Sequence, residues 1–254
     1  MNIRFLGTGA SDWPDTLRGE KEYRRFASVI VDNKLLIDPG PHIFGFAEDL
    51  GNADMFDDIE TVILTHSHDD HLNIENVQRL CDAKKRIMYC ERHAASLVKD
   101  IRNIAIREML LYTPVEMCGY KVTAVPANHG TEIANEQALN YIIKKEEKCF
   151  FYGCDSAWIR RDAWYYMRNF KYDLMVFDGT LGDDYGDYRI FEHNNLRMVE
   201  LISETIRNTG VLKPDGKIMI SHLAYAVHGT HKETGKKLEK AGVGVAYDGM
   251  MINM

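Results

Sequence analysis

A dense cluster of imidazole and carboxylate side chains directly follows a short apolar run, and this feature constrains the chain more than any other. The apolar run is Val62-Ile63-Leu64, and the cluster after it is Thr65-His66-Ser67-His68-Asp69-Asp70-His71. The apolar run predicts a strand that carries the cluster at its carboxyl end. Alternate side chains of an extended segment point the same way, so His66 and His68 can reach one metal ion. Asp70 and His71 lie where the chain turns toward the next helix, and they can reach a second ion.

The donor atoms of this cluster indicate which metals it suits. Imidazole nitrogen and carboxylate oxygen without cysteine suit zinc, manganese or iron. The alternative interpretation is a polar start of a helix, with Asp70 as its N-cap and the histidines on the surface. The spacing His-x-His-x-Asp-His would arise by chance about once in a thousand chains of this composition, which favours metal binding.

Three further candidate ligands each directly follow a predicted strand, as His66 does. They are His129, Asp155 and His222. Ligands gathered at one rim of a rigid sheet core would form a pre-oriented site. Asp38 also ends a predicted strand, where a carboxylate can orient a metal-bound histidine through its second ring nitrogen.

Length and charge limit the class of protein. The 254 residues fit one large core, so we expect a single domain over 1–254. Lys and Arg number 31 against 38 Asp and Glu, a formal net charge of −7. That balance argues against nucleic acid as a partner, because a nucleic-acid surface is usually basic. The sequence leaves open whether the chain forms a homodimer.

Cysteine usage and hydropathy indicate the compartment. The five cysteines are odd in number and show no Cys-x-x-Cys spacing, which is typical of reduced thiols. No apolar run approaches the ~18 residues that a membrane span requires. We therefore expect a cytoplasmic protein without a membrane segment.

Short strands alternate with helices inserted between strand pairs, and this arrangement occurs twice along the chain. Helices are predicted at 42–50, 72–83, 91–112, 157–170 and 196–209, and from Thr230 to Gly242. The chain finishes with predicted strands at 243–247 and 250–253. The pattern predicts an α+β fold in which two mixed sheets pack face to face with helices outside.

Several basic residues outside the cluster are candidates for binding a phosphate group. Residues 12–25 are polar and predict a loop that ends in Arg24 and Arg25. Guanidinium groups match phosphate oxygens, although a solvated run of charges is the alternative interpretation. His228 and His231 lie near a predicted helix start, where they could contact phosphate or serve a structural role.

These motifs resemble the metallo-β-lactamase superfamily of hydrolases over essentially the whole chain. The resemblance implies the αββα four-layer sandwich and two bound divalent ions, zinc or manganese rather than iron. By resemblance, His66, His68 and His129 would hold one ion. Asp70, His71 and His222 would hold the other, and Asp155 would bridge the two ions.

Within the superfamily, the chain is most similar to the branch that includes tRNA 3′-processing endonuclease Z and phosphoribosyl 1,2-cyclic phosphate phosphodiesterase. The segments that carry this likeness are Tyr23-Arg24-Arg25-Phe26-Ala27-Ser28, Leu36-Ile37-Asp38-Pro39-Gly40, Phe177-Asp178, Glu192-His193-Asn194 and Tyr247-Asp248-Gly249-Met250. The resemblance implies that His193, steadied by Asp178, serves in catalysis. We predict a catalytic role for Asp70 as well. The cysteine-containing zinc site of the cyclic phosphodiesterase and the long Gly/Pro-rich arm of the tRNA enzyme are not evident.

The implied activity is hydrolysis of a small cyclic or nucleotide-like phosphodiester by a hydroxide that bridges the two metal ions. His193 would protonate the leaving group. The alternatives are a lactone or thioester hydrolase of the same fold, a di-iron oxidoreductase and a tRNA 3′-processing nuclease. A di-iron oxidoreductase would be expected to carry a flavin or rubredoxin-like domain, which these residues do not include.

Overall fold

Two seven-stranded β-sheets face each other, and helices cover the outer face of each sheet. The computed structural model describes residues 1–82, 84–186 and 188–254. One apolar cluster fills the space between the sheets with buried side chains of both, for example Phe5 and Val29 of one sheet and Tyr141 and Phe150 of the other. Two further clusters each lie between a sheet and its helices. This order of layers confirms the predicted αββα sandwich.

The first sheet contains the strands of the amino-terminal part and the last strand of the chain. Its strands are β1 (Asn2–Gly7), β2 (Ser28–Val31), β3 (Leu35–Ile37), β4 (Thr61–Ile63), β5 (Arg86–Cys90), β6 (Ile104–Glu108) and β14 (Met251–Asn253). They lie in the order β14-β1-β2-β3-β4-β5-β6, antiparallel from β14 to β3 and parallel from β3 to β6. The helices of this half are α1 (Ile43–Asp49), α2 (Ile74–Asp82) and α3 (Ala95–Val98).

The second sheet repeats this arrangement. Its strands are β7 (Val115–Met117), β8 (Tyr120–Pro126), β9 (Leu139–Lys145), β10 (Lys148–Gly153), β11 (Tyr172–Asp178), β12 (Leu212–Ser221) and β13 (Val243–Val245). They lie in the order β13-β12-β11-β10-β9-β8-β7, antiparallel from β7 to β10 and parallel from β10 to β13. The helices of this half are α4 (Arg161–Met167), α5 (Leu196–Asn208) and α6 (His231–Leu238).

The two best-defined helix starts follow from local sequence. The Asn195 side chain accepts a hydrogen bond from the backbone N–H of Met198 at the start of α5. Thr230 and Glu233 form a complete capping box at the start of α6. Such residues satisfy N–H groups that have no partner within the helix, so these boundaries could be predicted from the sequence.

The prediction of a helix over 91–112 is wrong. Only Ala95–Val98 is helical there, and Ile104–Glu108 forms β6 at the edge of the first sheet. Ile104 pairs with Arg86 and Ile106 pairs with Met88, both in the parallel neighbour β5. A short apolar run fits a helix or a strand equally well by its periodicity, and here pairing with a distant strand decided the outcome.

Other predicted boundaries also shift. The helix predicted over 157–170 begins only at Arg161, because Trp158 has φ of 47° and the Ala157 N–H donates to the Asn128 carbonyl. Position 83 of the helix predicted over 72–83 lies outside the described residues. The last two predicted strands lie in different sheets, β13 in the second and β14 in the first.

Within the described residues, no helix combines the length and apolar character needed to cross a membrane.

Asp32 ties the two sheets together at the turn between β2 and β3. Asp32 and Asn33 have φ of 48° and 57°, as a two-residue hairpin turn requires. The Asp32 carboxylate accepts hydrogen bonds from the Asn2 backbone at 2.6 Å and, across the sandwich, from the Tyr120 hydroxyl at 2.6 Å and Lys145 Nζ at 3.1 Å. Burial raises the pKa of Asp32, but these donors outweigh burial and lower the pKa below its ordinary value.

Substitution Asp32→Asn should lower the free energy of unfolding at pH 7 by about 1–3 kcal/mol, the usual range for a hydrogen-bonded charge. Asparagine tolerates the same turn conformation, so the loss reports the charge and the hydrogen bonds accepted by one carboxylate oxygen, without a change in backbone strain. A carboxylate with a lowered pKa in the folded state stabilises the protein above its unfolded pKa of about 3.9, and this contribution is lost as the pH falls. In urea unfolding, the difference in free energy of unfolding between wild type and Asp32→Asn should therefore be smaller at pH 3 than at pH 7. An equal difference at both pH values would contradict this role; exposed Asp58→Asn is the control.

Candidate metal centre

Histidine and aspartate side chains converge at one rim of the sandwich, where β4, β8, β10 and β12 end. The structure brings together all seven predicted ligands: His66, His68, Asp70, His71, His129, Asp155 and His222. Each strand is followed by its first ligand within three residues. Because these strands run in one direction, their carboxyl ends deliver the ligands to the same rim.

The first group of candidate ligands is His66, His68, His129 and Asp155. His68 Nδ1 lies 2.9 Å from His66 Nε2 and 3.2 Å from His129 Nε2. Asp155 Oδ2 lies 3.3 Å from His66 Nε2. A neutral imidazole carries a proton on only one nitrogen, so these facing nitrogens cannot all donate to each other. A cation between them would satisfy their lone pairs.

The second group is Asp70, His71, Asp155 and His222, and all four residues are buried. His71 Nε2 lies 3.0 Å from Asp155 Oδ2 and 3.4 Å from His222 Nε2. His222 Nε2 lies 3.3 Å from Asp70 Oδ2. Asp155 belongs to both groups, so its carboxylate joins two adjacent positions that could each hold an ion.

The charge state of Asp155 fits a cation site. Burial raises the pKa of Asp155, but His222, His129 and His71 outweigh burial and hold it well below its ordinary value. A buried ionised carboxylate is costly unless positive charge compensates it. The donor set of imidazole nitrogens and carboxylate oxygens is one that divalent zinc or manganese accepts. The residues present therefore fit bound metal ions.

Asp38 contacts the second group at the His71 ring nitrogen that faces away from the cluster. Its carboxylate accepts hydrogen bonds from the Thr65 backbone N–H at 2.7 Å and the Thr65 hydroxyl at 2.9 Å. Asp38 Oδ2 also lies 2.9 Å from His71 Nδ1, leaving His71 Nε2 directed at the cluster. The sequence predicted that this strand-end carboxylate would orient a histidine, and the structure places it accordingly.

Several supporting contacts were not predicted from the sequence. The Thr180 hydroxyl lies 2.8 Å from His222 Nδ1, and Glu132 Oε2 lies 3.0 Å from His68 Nε2. The Glu192 carbonyl lies 3.3 Å from His129 Nδ1. The residues that make these contacts come from loops far from their histidines in the chain, so no local pattern could have indicated them.

His193 lies beside both groups and contacts Asp178. His193 Nδ1 is 2.8 Å from Asp178 Oδ2 and 3.4 Å from Asp155 Oδ1. The backbone N–H groups of Thr180 and Asn194 donate to Asp178 Oδ1, which fixes that carboxylate. Burial lowers the pKa of His193, but the Asp178 charge, the hydrogen bond to Asp178 and the Asp155 charge together outweigh burial and raise the pKa above its ordinary value. The two residues paired by family resemblance are thus in direct contact.

A cavity of about 500 Å³ opens onto this cluster. Its wall carries the carboxylates of Asp12, Asp69, Glu132 and Glu192, and the guanidinium of Arg189. Among the described residues of this wall, acidic side chains outnumber basic ones. The cavity is sized for a small molecule, and its wall disfavours a ligand with many negative charges unless metal ions are bound.

The arginines singled out from the sequence do not line this cavity. Arg24 is buried, so the interpretation of 12–25 as a solvated run of charges is wrong for this residue. Arg25 forms ion pairs with Asp49 and Asp248. His228 Nε2 lies 2.7 Å from the Gly179 carbonyl, a structural contact. Arg24, Arg25 and His228 are thus engaged by other groups of the fold and do not line the metal cavity.

Comparison with known proteins agrees with this geometry. A family model described as the beta-lactamase superfamily domain matches residues 33–220. A metal-dependent hydrolase from Pyrococcus horikoshii is 27% identical over 128 residues, which cover 48% of this chain and 54% of that protein. The chain thus spans about half the length of this curated relative.

Solved structures are similar over nearly the full length. A diphosphatase from the PhnP family has a TM-score of 0.76 at 20% identity, covering 100% of this chain and 97% of that one. Zinc-bound PqqB from Methylobacterium extorquens has a TM-score of 0.78 at 17% identity, covering 100% of both chains. At these identities the likeness concerns the fold.

The two facing sheets and the clustered ligands define a candidate metal centre at one rim of an αββα sandwich. The chain belongs to the beta-lactamase superfamily domain family. The resemblance stated from the sequence motifs is thereby confirmed at the level of the superfamily.

Substitution Asp38→Asn should weaken metal binding by about 10- to 100-fold, because the amide group cannot hold the His71 ring as the carboxylate does. Asparagine tolerates the φ of 60° found at this position, so the backbone should be retained. Competition with a chromophoric chelator measures the affinity. Asp32→Asn, at another left-handed aspartate remote from the cluster, is the matched control. Equal affinity in wild type and Asp38→Asn would show that Asp38 does not support the metal ligands.

Proposed function

We propose that the chain is a two-metal phosphodiesterase that acts on a small cyclic or nucleotide-like phosphodiester. His66, His68 and His129 would hold one ion, Asp70, His71 and His222 the other, and Asp155 would contact both. Bound divalent ions would supply Lewis acidity and lower the pKa of coordinated water toward 7. We propose zinc or manganese as the bound ions, as the family resemblance implies, although the donor set also accepts iron.

The observation that carries the proposal is the contact between His193 and Asp178. With Nδ1 held 2.8 Å from Asp178 Oδ2, the His193 ring has a fixed orientation, and His193 itself lines the cavity. The remaining ring nitrogen, Nε2, is available to give a proton to the leaving oxygen of a substrate. Asp178 stabilises the protonated imidazole before transfer, as a carboxylate does for a catalytic histidine. A raised pKa of His193 keeps more of the acid form available.

The cavity wall supports a small substrate rather than a nucleic acid. Among the described residues that line the cavity, four carboxylates besides the candidate ligands face the guanidinium of Arg189, and the whole chain carries −7. Nucleic-acid binding depends on many contacts between basic side chains and phosphates. A substrate with one phosphodiester, neutralised by the metal ions, fits the balance of charge better.

The similar structures support phosphate chemistry without deciding it. The PhnP-family diphosphatase shares the fold at 20% identity, and its name implies cleavage of a diphosphate. Metal-dependent hydrolysis of a carbon ester needs the same metal ligands, so a lactone or thioester hydrolase is the alternative function. A leaving alkoxide of a phosphodiester needs a proton more than a thiolate does, so an acid at His193 favours the phosphodiester over a thioester. A lactone also releases an alkoxide, and the substrate panel distinguishes it from a phosphodiester.

A substrate panel tests the proposal directly. Metal-loaded protein should hydrolyse bis(p-nitrophenyl) phosphate and small cyclic phosphodiesters, phosphoribosyl 1,2-cyclic phosphate among them. It should leave lactones, thioesters and single-stranded RNA largely intact. Turnover of a lactone or thioester without turnover of any diester would contradict the proposal, and oxygen consumption would point to an oxidoreductase instead.

Substitution His193→Ala should reduce kcat on cyclic alkyl diesters by about 10²–10⁴-fold, the usual contribution of a general acid. The loss on bis(p-nitrophenyl) phosphate should be much smaller, because p-nitrophenolate departs without a proton. Both metal ions should be retained, as measured by metal analysis of the purified variant.

The control for this variant is His42→Ala. His42 is another half-buried histidine beside a carboxylate, with Nε2 3.2 Å from Asp15 Oδ1, but it does not line the cavity. Its removal should leave kcat unchanged. Equal losses on both substrate types in His193→Ala, or loss of metal, would show that His193 does not act as the acid.

A further inference from the structure

A second cavity, of about 360 Å³, lies beside the start of α6. The residues that line it differ from those that line the metal cavity. Among them are three basic side chains, Lys21, Arg24 and Lys232. Within the part of the chain that the structure describes, none of the three forms an ion pair. The cavity therefore concentrates unpaired positive charge at one place.

Arg24 is the least expected of these residues, because its side chain is buried and only 6% of the residue is exposed. Arg24 Nη1 donates to the Thr8 hydroxyl at 2.6 Å and to the Ala246 carbonyl at 2.7 Å. Nη2 lies 3.2 Å from His231 Nδ1. Burial lowers the pKa of Arg24, which reflects the cost of its charge there. A buried cation is ordinarily compensated by an anion.

The two carboxylates that line the cavity, those of Glu22 and Asp248, have other donors. Glu22 Oε2 accepts the backbone N–H of His231 at 2.7 Å. Asp248 accepts the backbone N–H of Arg25 at 2.7 Å and the Thr8 hydroxyl at 2.8 Å. Asp248 and Glu22 favour the charge of Arg24 through space, but neither carboxylate forms an ion pair with it. Three cations face two carboxylates that are already engaged, so the cavity keeps room for another anion.

We propose that this cavity binds the phosphate group of a small molecule. Guanidinium and ammonium groups together match a phosphate dianion, which needs several N–H donors and about two positive charges. Tyr247 is 49% exposed at the cavity and packs edge-on against the His231 ring at 5.6 Å. A flat group attached to the phosphate could pack against this exposed tyrosine.

The site is separate from the metal centre but adjoins it through residues 8–11. The Thr8 hydroxyl contacts Arg24, while Ala10 and Ser11 line the metal cavity. A phosphate held by Arg24 would therefore steady the segment that forms one wall of the proposed active site. Binding itself does not depend on the proposed phosphodiesterase activity.

The test follows the ring NMR signals of His231, which lines this cavity and not the metal cavity. Zinc-loaded protein is titrated with inorganic phosphate, adenosine monophosphate and acetate, and His231→Gln identifies the signals. Saturable shifts with either phosphate compound, and none with acetate, are expected. Tighter binding of adenosine monophosphate than of inorganic phosphate would show that the ring attached to the phosphate contributes to affinity.

Variants locate the binding. Lys21→Ala and Lys232→Ala should each weaken phosphate binding about threefold, and Arg24→Gln by more than about tenfold. The lysine substitutions keep the test valid if removal of buried Arg24 impairs folding. Lys236→Ala is the control, since Lys236 lies on α6 but does not line the cavity.

Three outcomes would overturn the proposal. His231 signals that stay unchanged while those of the metal-cavity histidines shift would mean that phosphate binds only at the metal centre. Wild-type affinity in both lysine variants would mean that the cavity is not the site. Acetate binding as tight as phosphate would mean that the cavity does not select phosphate.

Discussion

The buried carboxylate of Asp155 is the constraint on which the rest of the site depends. It follows β10, a strand inside the second sheet, and its φ of 52° turns the chain back over the strand end. Its oxygens lie within 3.8 Å of histidines from three other loops: His66 and His71, His129, and His222. An ionised carboxylate in this position is stable only with positive charge around it, so the loops that end the strands must converge there.

The repeated topology of the two sheets explains how that convergence is achieved. Each sheet pairs an antiparallel half with a parallel half, and strands of both sheets end at the same rim. Helices cover the outer faces, and apolar side chains fill the space between the sheets. The rim is therefore where polar side chains can gather with access to solvent. Rigid strands behind each loop then hold the ligands within hydrogen-bond distance of one another.

Charge is divided between two neighbouring cavities in a way that the net charge of the chain does not reveal. Carboxylates surround the metal cavity, whereas unpaired cations line the cavity beside α6. Residues 8–11 lie between them, with Thr8 bonded to Arg24 and Asp248 on one side and Ala10 facing the metal cavity on the other. The overall charge of −7 is thus a poor guide to what each cavity attracts.

The sequence by itself determined the candidate ligands and their places at strand ends, because ligand type, spacing and the two-residue strand period are local properties. The Asp32-Asn33 turn and the caps of α5 and α6 could be predicted for the same reason. Only the tertiary structure decided that Ile104–Glu108 is a strand, that Arg24 is buried, and that Glu132 and Thr180 contact histidines of the cluster. These outcomes depend on contacts between residues distant in the chain. A local pattern of residues does not specify such contacts or their energies.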